Sequence, residues 1–145
     1  MIAANLGKIS ALILQLLTKV PRDELADAVI FGSSAITLNG RDLERQVDDL
    51  DLFVSEVAYE RLRQRATEVV KKFGVTALDV GVPNIEIFKT FPGVEHGPVL
   101  QRASPTIESH GLRVAVLEDL ITWKRSQGRE KDIDDLKKIG QTNNE

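Results

Sequence analysis

Asp49 and Asp51 stand two residues apart in "DDLDLFV", a run whose other positions alternate as a β-strand does. Leu50, Leu52 and Val54 fall on one face, and Asp49, Asp51 and Phe53 on the other. Aspartate is a poor strand former and costs free energy when buried without a partner. Residues two apart on a strand share a face, with α-carbons roughly 7 Å apart, so the two carboxylates can converge on one point. Carboxylates this close repel, and one tends to hold a proton unless a cation lies between them. Mg²⁺ suits that position. It takes hard oxygen ligands, keeps several waters, and is commonly bound by one or two carboxylates together with substrate phosphates. The plain alternative is an acidic pair solvated at a strand end.

Upstream, "ADAVIFG" is a short apolar run that ends in Gly32, as a buried strand would. "SSAITL" follows as one or two helical turns, closed by Asn39 and Gly40. A strand that passes through glycine into a helix presents unpaired backbone N–H groups, which favour an anion such as a phosphate. Gly32 allows a ligand close to the backbone, and Ser33 and Ser34 add hydroxyl donors. Taken alone, the serines could be ordinary helix caps. A phosphate cradle followed by a paired-carboxylate strand is the equipment of nucleotide and metal chemistry.

Phe31-Gly32-Ser33 followed by Asp49-Leu50-Asp51-Leu52 resembles the signature of the nucleotidyltransferase fold of the DNA polymerase beta type. The approach "RQVDDLD" is similar to the R-x-T-x-D-x-D form of small bacterial members. Arg45 matches it, and Val47 stands where threonine is usual. The spacer from Ser34 to Asp48 is slightly long for the family. "LEDLITWKRSQGREKDIDDLKKI" resembles a C-terminal segment of abortive-infection-type and antitoxin-type nucleotidyltransferases. The likeness covers about residues 28–140.

The resemblance implies a metal-dependent enzyme that moves a nucleoside monophosphate from a nucleoside triphosphate, ATP by family likeness, to a hydroxyl acceptor. Asp49 and Asp51 would hold Mg²⁺ or Mn²⁺. Gly32, Ser33, Ser34 and Lys124 would bind the nucleotide. A third carboxylate on a later strand would complete the site and activate the acceptor. Glu86 in "NIEIFKTF" is preferred, because Ile85 and Ile87 flank it on the opposite face. Asp79 in "ALDVG" is the competitor, and its nearness to Gly81 and Pro83 suits a turn. The alternative function is a weak or inactive fold that serves as a binding module, an antitoxin-like partner in a defence system. A protein partner or a second copy could complete the acceptor side.

The remaining pattern suits an α/β (α+β) fold, a small mixed sheet packed by helices, in one domain over residues 1–145. Leu6, Ile9, Ile13, Leu16 and Leu17 predict a helix over 4–20, ended by Pro21, that packs on the core. Ser55 is expected to cap a helix running through Leu62, Ala66, Val69, Val70 and Phe73 to Gly74, with Val54 and Tyr59 as its hydrophobic staple. "VTALDVG", "NIEIFKTF" and "GLRVAV" read as strands. "LEDLITWKRSQ" reads as a helix ending at Gly128, and "EKDIDDLKKI" as one ending at Gly140 before a frayed "QTNNE". Trp123 is assigned to the core. Arg129, Lys131, Asp132 and Asp135 are expected to pair with one another on the helix.

His96 and His110 each adjoin glycine and are read as surface loop residues, not zinc ligands. "DDLDLFVSEVAYE" lacks the turn glycine of a calcium loop. The absence of cysteine excludes disulfides and thiolate metal sites. A net charge of −3 provides no overall field to hold a nucleic acid. "ALILQLL" is too short to span a bilayer and lacks a cleavage signature, so no membrane association and a cytoplasmic location are expected.

Overall fold

Ile9, Ile13 and Leu16 recur at helical spacing, and they form the buried stripe of helix α1 (Ile2–Lys19). The structure is a computed structural model that describes residues 1–71 and 74–143. Val20 closes α1 in an extended conformation, and Pro21 follows, where its ring would block a further helical turn. Val29, Ile30 and Phe31 are fully buried and make the short strand β1 (Val29–Phe31). The chain turns at Gly32, with φ +68°, straight into α2 (Gly32–Leu38). Strand β2 (Leu50–Phe53) then runs antiparallel to β1, with Asp51 opposite Phe31. Leu50, Leu52 and Phe53 are all buried, so β2 is covered on both faces, as a central strand is.

Ser55 caps α3 (Glu56–Leu62) by accepting the backbone N–H of Ala58, and Val54 and Tyr59 are buried beside it, as expected. The helix does not continue to Gly74. It tightens into a 3₁₀ turn (Arg63–Arg65) and gives way to strand β3 (Thr67–Val70). Val69 and Val70 are β-branched and favour an extended backbone. Antiparallel pairing with β4 (Thr76–Asp79) decides the matter. Gly74, at φ +75°, lies between these two strands instead of capping a helix. Phe73 lies outside the described residues.

Strand β5 (Ile85–Phe88) pairs parallel with β2 and antiparallel with β4. Then come α4 (His96–Arg102), β6 (Ser104–Pro105), β7 (Arg113–Val114), α5 (Leu117–Gln127) and α6 (Glu130–Asn143). Gly128 closes α5 in the left-handed conformation, as its position predicts. By contrast, α6 passes through Gly140 and continues to Asn143, where a frayed tail was expected. Asn144 and Glu145 lie outside the described residues. The described residues form a seven-stranded mixed sheet, in the order β3-β4-β5-β2-β1-β7-β6, and six α-helices. Helix α2 packs on β1 and β2 and against α1 and α5, while α6 packs on α5. Among the described residues, no helix is long and apolar enough to cross a membrane.

Phe31, Phe53, Phe91 and Trp123 form an aromatic cluster, with ring centroids 4.4 to 5.5 Å apart along its contacts. Trp123 is thus a core residue, as expected. His96 departs from its assignment as a surface loop residue, while His110 keeps its place in a turn beside Gly111. Both are half-buried. His96 begins α4 and its Nε2–H donates to the Asp27 carbonyl at 2.7 Å. His110 hydrogen-bonds Ser10 Oγ at 2.7 Å and so ties α1 to the loop before β7.

Candidate active site

Gly32 ends β1 where β2 begins, and the fold presses the two together. A Cβ built on Gly32 would stand 2.9 Å from Asp51 Oδ2. Glycine is therefore required twice, for the positive φ and for the contact. The parallel register of β2 and β5 sets Asp51 beside Glu86, and neighbours in register share a sheet face. Asp49 lies two residues before Asp51, exposed at the strand entrance. Asp79 goes elsewhere: its Oδ1 accepts the backbone N–H of Gly81 at 2.8 Å, the turn role that competed with the site role.

The carboxylates interact electrostatically. Desolvation, then the charge of Glu86, then that of Asp49, push the Asp51 carboxyl up to about 7. Lys131 and Lys71 pull it down. Lys71 Nζ lies 2.7 Å from Glu86 Oε2, so the third carboxylate already has a cationic partner. Among the described residues, no three His, Cys, Asp or Glu side chains are gathered closely enough to hold a metal ion between them. The set fits a hard cation in its chemistry, all carboxylate oxygens under mutual repulsion. Such an ion would need waters or phosphate oxygens to complete its coordination.

The two serines have distinct partners. Ser34 Oγ donates to the Asp49 carbonyl and fastens the entrance of β2 to α2. Ser33 Oγ accepts from Arg45 Nη2 at 2.9 Å, which leaves its own O–H to donate. Arg45 is held in turn by Asp135 of α6, with Nη2 to Oδ2 at 2.8 Å and Nε to Oδ1 at 3.4 Å. Asn5 grips the same segment from the other side. Its Nδ2 donates to the Arg45 carbonyl at 2.9 Å, and its Oδ1 accepts the Val47 N–H at 3.1 Å. Asn5 was missed in the sequence. Its one signal there is a lone amide on the apolar stripe of α1.

Lys124, expected to bind the nucleotide, is enclosed by the protein. It is fully buried, with Nζ 3.1 Å from Asp132 Oδ1 and 2.9 Å from Asp135 Oδ2. Arg129 Nε closes on Asp132 Oδ2 at 2.7 Å. Burial alone would raise these carboxyls, but Arg129 and Lys124 at Asp132, and Arg45 and Lys124 at Asp135, hold them below the usual range. Of the four charges expected to pair with one another on the helix, Arg129 and Asp132 do so; Asp135 pairs instead with Arg45 and Lys124, and Lys131 makes no ion pair among the described residues. Two open surface cavities, of ≈ 590 and ≈ 680 Å³, lie away from the carboxylates. The larger is bordered by Lys131.

No protein-family model matches the chain, and no curated protein or solved structure matches it significantly.

Proposed function

We propose that the chain is a metal-dependent nucleotidyltransferase of the polymerase-beta-like fold, with a nucleoside triphosphate, ATP first, as donor and a hydroxyl as acceptor. The observation that carries this reading is the contact of Gly32 with Asp51, with Glu86 in register beside them. It joins a glycine turn suited to an anion to a carboxylate centre suited to a cation.

Asp49, Asp51 and Glu86 are the residues that would hold Mg²⁺ or Mn²⁺. When bound, such an ion supplies positive charge against the phosphates. The Gly32–Ser34 turn and the Ser33 O–H would donate to phosphate oxygens. Glu86 would take the proton of the acceptor hydroxyl. The acceptor oxygen then bonds to the α-phosphorus, the bond from that phosphorus to the bridging oxygen breaks, and pyrophosphate leaves with the electron pair. For this, Glu86 must part from Lys71.

The Lys71–Glu86 pair also favours a second reading, a catalytically silent module that uses the same fold to bind a protein, in the manner of an antitoxin. Calorimetric titration with ATP, GTP, CTP and UTP separates the two, with and without Mg²⁺, on wild type and Asp51→Asn. Metal-dependent binding that the variant loses supports the transferase. No binding of any triphosphate by wild type sinks it and leaves the module.

A further inference from the structure

The two edges of the sheet are built differently. One is β6, a short strand that ends in Pro105, which has no N–H to offer a further strand. The other is β3, which pairs with β4 in an unbroken register, without proline or bulge. Natural edges are guarded by such devices, because an open row of N–H and C=O groups templates another strand. Val70 on this edge is 76% exposed. Lys71, which follows it, is no guard, because its ammonium is drawn to 2.7 Å from Glu86. Lys72 lies outside the described residues.

The register shows which backbone groups are free. Lys71 stands opposite Val75 and donates its N–H to the Val75 carbonyl at 2.6 Å, toward β4. Backbone groups alternate in direction along a strand. Thr67 and Val69 therefore turn theirs toward β4, as Lys71 does, and Glu68 and Val70 turn theirs outward. Among the described residues, no strand pairs with that outer side. The outward pattern is complementary to itself. A two-fold axis normal to the sheet at Val69 sets Glu68 of each copy opposite Val70 of the other. Both are hydrogen-bonding positions, so each of these matched pairs exchanges its N–H···O bonds. No like charges meet, since Val69 faces Val69 and Lys71 faces Thr67. Moving the axis to Glu68 would set two carboxylates opposite each other, which is repulsive. Moving it to Val70 leaves a single hydrogen-bonding pair among the described residues. This matching favours a second copy over an unrelated strand.

We propose that β3 is the interface between two copies of this chain, joined antiparallel edge to edge with Val69 on the two-fold axis, so that two sheets become one. The axis is normal to the sheet, so both carboxylate centres open on the same side. Thr67 of the second copy falls beside Lys71, the ion-pair partner of Glu86. The contact is small beside a standard interface, so the association is of micromolar strength or weaker. It holds whether or not the chain transfers nucleotides.

Sedimentation velocity over a concentration series tests this on wild type, Val70→Glu and Val70→Lys. The Val70 side chain is exposed, so both variants should keep the fold, which circular dichroism checks. Wild type should pass from monomer to dimer as concentration rises. Val70→Glu sets like charges opposite each other at both matched pairs and should weaken the dimer about tenfold. Val70→Lys sets opposite charges there and should hold the dimer at least as well as wild type. Amide exchange on wild type gives a second readout. The Glu68 and Val70 amides should gain protection with concentration, while the Val69 amide is protected throughout. A wild type that stays monomeric up to about 1 mM overturns the proposal and leaves this edge to a strand from another protein. A dimer that both variants weaken alike, or that neither changes, overturns it as well, since the copies then meet in a different register or on a different surface.

Discussion

Gly32 and Asp51 are in contact across the β1–β2 pair: the space where a Gly32 Cβ would sit is taken by Asp51 Oδ2, 2.9 Å away. Gly32→Ala should therefore incur two costs. The left-handed backbone alone costs about 1–2 kcal/mol for a residue with a Cβ. The clash adds displacement of Asp51. Gly40→Ala, at φ +81° with nothing within 4 Å, isolates the first cost. Urea unfolding of both variants should show Gly32→Ala the less stable. Equal losses would show that Asp51 moves aside freely.

Asp51 makes stability depend on pH in metal-free buffer. Its folded carboxyl, at about 7, holds its proton more tightly than the unfolded chain does at 3.8. The resulting stabilisation is complete below the unfolded value and is lost as pH rises through about 7. Each pKa unit corresponds to about 1.4 kcal/mol before solvent screening reduces it. Thermal unfolding from pH 4 to 8 should show wild type losing more stability than Asp51→Asn over that range. Parallel curves would mean that Asp51 titrates normally.

Lys124→Met should destabilise the fold by about 3 kcal/mol or more, because Asp132 and Asp135 lose a buried counter-ion. Chemical denaturation measures this. A phosphate ligand would behave in the opposite way, with stability kept and nucleotide affinity lost.

Lys71→Ala should change stability by less than about 1 kcal/mol, since both members of its ion pair reach solvent. Its effect should fall on the metal. With the resident cation removed from Glu86, Mg²⁺ should bind more tightly in a fluorescence or calorimetric titration. Weaker Mg²⁺ binding would mean that Lys71 assists the site instead of competing for it.

The carboxylate strand and the glycine turn were legible because both are local. A period of two sets Asp49 and Asp51 on one face, and a glycine between strand and helix has few other uses. The preference for Glu86 over Asp79 followed from its apolar neighbours. Residues 66–70 misled for a physical reason: Ala66, Val69 and Val70 meet helical spacing, but pairing with Thr76–Asp79 outweighs it. The partners of Lys124 and Asn5 were not legible, because they depend on how α5, α6 and α1 dock. Lys131 looked like one more member of a charged helix face. That it makes no ion pair among the described residues emerges only when the neighbouring charges are placed in space.

Arg45 is held by Asn5 at its carbonyl and by Asp135 at its guanidinium, so residues near the two ends of the described chain meet at one point. During synthesis, the strands bearing Asp51 and Glu86 leave the ribosome well before α6 does. A nascent chain could pair those strands and still have Arg45 unbraced, with the turn at Ser33 unsupported. The brace on the Ser33 turn would then be completed only once α6 has formed.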